Sequence, residues 1–264
     1  VRSGALVPAP APPAPTHLAP DSRGRLLATW GLAIGGLAGA RLLSLVEPTG
    51  LLAGNLAGVA ALLFVLLADR RLRARDEGWE AAGAPFLGSG EAGDWSGVGR
   101  GIGQGLLCCA LVFPPFVAAF IGFTELSPHL PPGLASTLSP YLGAPVFALR
   151  LPESLPLTAA LQLLVVALPE ELFYRGWLQT AWARLAPERG VTVLGARLGH
   201  GFLATQALFA LGHLVSGQPW RLATFFPGLL FGWLRARTGS VVAPVVVHTL
   251  SNLLMLTLER SFYP

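Results

Sequence analysis

Residues 158–182 read TAALQLLVVALPEELFYRGWLQTAW, an apolar run with two glutamates and an arginine set into its middle. The run is long enough to cross a bilayer as a helix, which takes about 20 residues. A charge at the bilayer centre costs at least about 2.5–3.5 kcal/mol on insertion scales, so an ionisable group there is a functional signal by default. Glu170, Glu171 and Arg175 are three such groups. Glu171 and Arg175 are four residues apart and share a helix face, where they can pair. Glu170 is turned away by about 100° and has no such partner within the helix. One carboxylate is tied and the other is freer, and the freer one is the better candidate base. From these residues alone, an ion pair that merely holds helices together explains them equally well.

The rest of the chain agrees with a membrane setting. Of 264 residues, 53% are hydrophobic and only 12% are charged, and the mean hydropathy is +0.59. A soluble domain carries roughly a quarter charged residues, so bilayer must solvate much of this surface. Disorder of the whole chain is excluded by its hydrophobicity. The expected fold class is all-α, a polytopic membrane helix bundle of about seven (six to eight) transmembrane helices. All eighteen cations are arginine, giving a formal charge of +4. The missing lysine, the single Met255 and the abundance of Ala, Gly, Pro and Arg suggest high-GC bacterial coding, and Val1 is compatible with a GTG start. No face combines arginines with aromatics, so no nucleic-acid partner is implied. Cys108 and Cys109 are adjacent in an apolar run and read as packing residues, not as a disulfide framework.

Seven spans are expected, at 26–46, 51–68, 102–123, 158–182, 200–218, 222–234 and 240–258. The sixth covers only about 20 Å as a helix and relies on Arg221 and Arg235 to extend it by snorkelling. Residues 1–24 form a Pro/Ala-rich flexible tail with no apolar core, which is not a cleavable signal peptide. Gly31, Gly35 and Gly39 make a small-residue stripe suited to close helix packing. The loop that continues to about Gly101 is polar and Gly-rich, and its spacing does not fit a nucleotide site. Residues 124–156 are Pro-rich and accommodate a short interfacial or re-entrant piece. With the N-terminus inside, Arg23, Arg25, the cluster Arg70 to Arg75, Arg184, Arg189, Arg197, Arg235 and Arg237 all fall in the cytoplasm. Arg150, Arg221 and Arg260 are left outside, as the positive-inside tendency favours.

Two histidines also fall inside spans: His213 in FALGHLV and His248 in APVVVHTLSN, with Asn252 one turn after His248. Polar groups in lipid must find one another, so these residues and the two glutamates are expected to converge in one buried, wet cluster. Glutamate and histidine together can deprotonate a water. Histidine and asparagine N–H groups can stabilise an oxyanion. No serine or cysteine stands in a nucleophile motif, so water is the attacking group. Pro169, just before Glu170, removes a helical N–H and either opens access to the carboxylates or simply kinks the helix. Trp177 and Trp182 fit a membrane interface or helix packing, and Trp220 beside Arg221 fits the opposite interface.

Glu170-Glu171-x-x-x-Arg175, Phe209-x-x-x-His213 and His248-x-x-x-Asn252, in this order, resemble the CAAX-protease and bacteriocin-processing (CPBP, or Abi) intramembrane endopeptidases. The resemblance covers residues 158–258. It implies that Glu170 and His213 activate the water, and that His248 and Asn252 form the oxyanion site. It also implies that Arg175 pairs with Glu171 and that Phe209 packs beside the site. With the composition and the apolar runs, the expected layout is a tail at 1–24, N-terminal helices and loops at 25–157, a catalytic bundle at 158–258, which alone carries the resemblance, and a short tail at 259–264. The implied substrate is a membrane-anchored or lipid-modified protein, cut near its anchor, leader or C-terminal sorting signal, without a cofactor. The composition and the arginine distribution lead to the expectation of a bacterial inner membrane with the N-terminus in the cytoplasm. A metal protease using the same side chains as ligands is the nearest alternative, although no HExxH motif is present. A non-catalytic membrane protein, such as an immunity factor, scaffold or transporter, is the other.

Overall fold

The computed structural model describes residues 21–87, 95–138, 141, 145–185 and 190–263. Most of the expected tail at 1–24, and Arg189, lie outside the described residues. Among the described residues, seven longer helices form the body. They are α1 (Arg23–Ser44), α2 (Leu56–Arg73), α3 (Trp95–Leu126), α4 (Leu155–Leu185), α5 (His200–Gly212), α6 (Phe225–Thr238) and α7 (Val242–Phe262). Four of them, α1, α3, α4 and α7, are both long and apolar enough to cross a membrane. Large apolar side chains such as Leu42, Leu62, Leu66, Leu107 and Leu111 face outward from α1, α2 and α3. That surface suits lipid and not water. The protein is an integral membrane helix bundle.

Helix α1 begins where the Ser22 hydroxyl accepts from the Arg25 N–H, capping an orphan donor. It turns into α2 through Gly50, whose φ of +71° needs glycine, and a single turn at Leu51–Gly54. The two helices pack together, but not through the expected stripe. A Cβ added at Gly31, Gly35 or Gly39 would meet nothing within 4 Å, whereas one at Gly36 would come 3.2 Å from Leu63. The stripe faces away from the protein.

Helix α3 starts at Trp95, so the segment expected to be loop as far as Gly101 is partly helical. Tertiary contact overrides its poor local propensity. Gly101 and Gly105 bring α3 so close to α7 that added Cβ atoms would lie 2.7 and 2.8 Å from Val242 and Val246. Their significance is helix packing. Between α3 and α6–α7, Cys108 and Cys109 pack with Phe231, Leu234, Ala243 and Val247 as free, buried thiols. A short helix, Pro132–Leu138, occupies the Pro-rich region. The chain after it lies against the end of α7, with Val146 N–H on Phe262 O and Ala148 N–H on Ser261 O.

Helix α4 is the axis of the fold and is not regular. Residues Gln162–Ala167 and Leu172–Gln179 are wound as π-helix on either side of the α-helical turn Leu168–Glu171 that holds Pro169. Wider turns of this kind re-aim side chains and recur at functional sites. Below it, Phe64, Phe173, Tyr174, Trp177 and Phe209 form an aromatic core between α1, α2, α4 and α5. Trp177 is therefore a packing residue, 2% exposed. The connection to α5 contains an antiparallel ribbon that the sequence reading did not anticipate. Its strands are β1 (Val191–Val193) and β2 (Ala196–Leu198), turned through Leu194 and Gly195, both at positive φ. Helix α5 stops at Gly212, earlier than expected, and His213 opens a tighter turn to Ser216.

Candidate active site

Helix α4 supplies Glu170, Glu171 and Arg175, α7 supplies His248, and the turn after α5 supplies His213. Glu171 and Arg175 are both fully buried and pair at 3.0 Å, Oε1 to Nη1. The same Oε1 lies 2.8 Å from His248 Nδ1. The His248 ring stacks on Phe231, 4.8 Å between centroids at 17°. Its other nitrogen, Nε2, faces Glu170 Oε2 at 3.9 Å. His248 thus stands between the two glutamates, tied to one and aimed at the other.

Arg175 is held through both terminal nitrogens, while its Nε is buried without a hydrogen-bond partner. Its Nη2 donates to Gln206 Oε1 at 2.9 Å and to the Gly228 carbonyl at 3.3 Å. Its Cζ lies 4.1 Å from the centre of the Phe209 ring, a cation–π contact. Gln206 continues the chain by donating to Gln179 Oε1 at 3.1 Å, and Gln179 donates to the Gly232 carbonyl at 2.9 Å. Helix α6 can come this close because of its glycines. A Cβ at Gly232 would lie 2.5 Å from Gln206, and one at Gly228 would lie 3.2 Å from Arg175.

His213 is fixed by a 2.9 Å contact from Nδ1 to the Phe209 carbonyl and by the edge of the Phe209 ring, 4.7 Å between centroids. A carbonyl only accepts, so Nδ1 carries the hydrogen of this contact. His213 and Glu170 line one cavity of about 200 Å³ between α1, α2, α4 and the end of α5. Its walls are mostly apolar, with Phe64 and Tyr174 at the base, and two guanidinium-bearing residues, Arg41 and Arg221, also line it. Glu170 Oε2 is buried without a protein partner.

Asn252 lies in different surroundings. Its Nδ2 donates to Gln162 Oε1 at 2.8 Å, and both residues line a second cavity of about 650 Å³ bounded by Phe116, Phe120, Trp220 and Met255. Arg221 lines both cavities. Glu170, Glu171, Arg175, Phe209, His213 and His248 are thus assembled around one point, while Asn252 sits one turn along α7 at the neighbouring space. Among the described residues, no three His, Cys, Asp or Glu side chains are grouped as ligands of one ion.

Residues 152–254 match the family model of type II CAAX prenyl endopeptidase Rce1-like proteins. The match supports the CAAX-protease (CPBP) family for this C-terminal stretch. The matched stretch begins just before α4 and ends within α7, so it contains Glu170, Glu171, Arg175, Phe209, His213, His248 and Asn252. That family is one of CAAX endopeptidases, and the match supports a peptidase. No curated protein and no solved structure matches the chain.

Three residues of the CPBP site escaped the sequence reading: Gln162, Gln179 and Gln206. Their signal was present, since each is a polar side chain in an apolar helix. Gln179 also continues the face of Glu171 and Arg175 at the next spacing of four. Arg41 and Arg221 carried no such signal, because arginines near span ends are common membrane anchors.

Proposed function

We propose that the protein is an intramembrane endopeptidase in which Glu170 and His213 activate the attacking water. The observation that carries this reading is the shared cavity. Glu170 and His213 line the same space, and Glu170 Oε2 is buried without a hydrogen-bond partner, 3.9 Å from His248 Nε2. Glu170 takes a proton from the water as its oxygen bonds to the scissile carbonyl carbon. The proton then passes to the departing amine nitrogen as the C–N bond breaks. His248 is tied to Glu171 through Nδ1 and turns its Nε2 side to the oxyanion. Asn252 contributes its second N–H from the neighbouring cavity. Glu171 and Arg175 touch no reacting atom and position His248.

The substrate is a membrane-anchored or lipid-modified protein, cut near its anchor, leader or C-terminal sorting signal. No cofactor is used. The protein resides in a bacterial inner membrane with its N-terminus in the cytoplasm, because the arginine-rich ends of α2, α4 and α6 share one side. Comparing the membrane proteomes of a deletion strain and its parent for uncleaved terminal segments tests the reading. Retained segments in the deletion strain are expected, and identical proteomes contradict it. Cleavage by the purified protein is expected to be indifferent to chelators, whereas loss of activity with chelator and recovery with one metal would favour the metal alternative.

A further inference from the structure

Away from the glutamates, a cavity of about 420 Å³ lies among the C-terminal end of α4, strand β2, the start of α5 and the end of α6. This is within the usual range of small-molecule sites, about 300–1,000 Å³. Three arginines line it, Arg184, Arg197 and Arg235, together with His200, and no carboxylate does among the described residues. Arg184 is the only one of the three paired with an acid among the described residues, at 2.7 and 2.8 Å from Glu77. Arg197 has no side-chain partner among them. Arg235 donates through Nη2 to Thr180 Oγ1 at 3.1 Å, while its Nε is shut off from solvent and bonded to nothing.

The first turn of α5 borders the same space, and its N-cap, Gly199, supplies no side-chain acceptor. Converging guanidiniums, of which Arg197 and Arg235 face no carboxylate among the described residues, beside uncapped helix N–H groups, form a receptor for a tetrahedral oxyanion. The surroundings are those of a membrane boundary: Trp182 and Phe202 line the cavity at the end of a membrane-crossing helix. Basic pockets between helix ends on the cytoplasmic side take anionic lipid headgroups.

We propose that this cavity binds a phosphate-type anion, supplied by the headgroup of an anionic phospholipid in the cytoplasmic leaflet. Arg197 and Arg235 hold the phosphate oxygens, and Arg184 adds its remaining N–H groups. Gln179 lines the same cavity, so the site lies at the far end of the buried chain that runs through Gln206 and Arg175 to Glu171.

The test uses the full chain in an uncharged detergent, with binding read by native mass spectrometry. The probes are dioctanoyl phosphatidylglycerol, dioctanoyl phosphatidylcholine and inorganic phosphate. Phosphatidylglycerol is expected to bind at least tenfold more tightly than phosphatidylcholine. Arg197→Ala, in an exposed ribbon where folding is unaffected, is expected to remove most of that preference, and Arg197→Lys to keep part of it. Arg235→Ala is expected to act in the same direction. Glu170→Gln binds like the wild type, so the outcome is independent of whether the chain cleaves peptides. Equal binding of the two lipids, or a preference that survives Arg197→Ala, overturns the proposal. Inorganic phosphate bound as tightly as phosphatidylglycerol, with the same dependence on Arg197, overturns the lipid source and assigns the site to soluble phosphate.

Discussion

His248 Nδ1 and Glu171 Oε1 lie 2.8 Å apart, joining α7 to α4 at a point where Glu171 is fully buried. The same oxygen receives Arg175, so one carboxylate holds both a cation and the ring that faces Glu170. The two adjacent glutamates therefore have separable tasks.

Substitution should expose that separation. Glu171→Gln leaves Arg175 buried without its counter-charge, and breaking such a pair costs about 3–5 kcal/mol. A large drop in Tm in detergent is expected for Glu171→Gln, with little change for Glu170→Gln. Equal destabilisation by the two would contradict the division of roles.

The helix contacts predict a contrast among glycines. Gly105→Ala places a methyl 2.8 Å from Val246 Cβ and 3.1 Å from the Ala243 carbonyl. It should destabilise the α3–α7 contact by about 1–3 kcal/mol, as overpacking does. Gly35→Ala meets open space and should be neutral or stabilising, since Ala exceeds Gly in helix propensity by about 1 kcal/mol. Thermal unfolding of the two variants side by side decides the matter.

Outside the membrane, Glu77 carries a pH dependence. Burial pushes its carboxyl up, but hydrogen bonds and charge from Arg184 and Arg75 outweigh burial and hold it below its ordinary value of 4.5. A depressed carboxyl contributes stability above its unfolded pKa and loses it as pH falls through the folded one. The Tm difference between wild type and Glu77→Gln should thus be present at neutral pH and fade below about pH 4.5. A difference that grows on acidification would contradict the ion-pair assignment.

The arginine distribution predicts which side of the membrane each end occupies. In a background with Cys108 and Cys109 replaced by alanine, a membrane-impermeant maleimide should label Leu45→Cys in intact spheroplasts. Arg70→Cys should react only after lysis. The reverse pattern would invert the orientation, and with it the leaflet assigned to the anion site.

Much of this was legible in the sequence because charge in lipid is rare and therefore informative. Glu170, Glu171 and Arg175 stood out inside one apolar run, and the spacing of four tied Glu171 to Arg175 before any coordinates. Elements that depend on tertiary contact were not legible. The start of α3 looks like a glycine-rich loop until α7 is placed against Gly101 and Gly105, and Gly36 takes the contact that the stripe at 31, 35 and 39 suggested. The π-wound turns flanking Pro169 are reported by no periodicity of the sequence. Asn252 shares a helix face with His248, yet only the neighbouring helices decide that it meets Gln162 across a second cavity.

The most direct test of the central claim is complementation of a deletion strain, read as cleavage of the membrane protein that accumulates uncut in it. Wild-type protein should restore cleavage. Glu170→Gln and His213→Ala, present in the membrane at the wild-type level, should each lower the cleavage rate by about 10²–10⁴-fold, the range for loss of a general base. Undiminished cleavage by both variants would contradict water activation at Glu170 and His213.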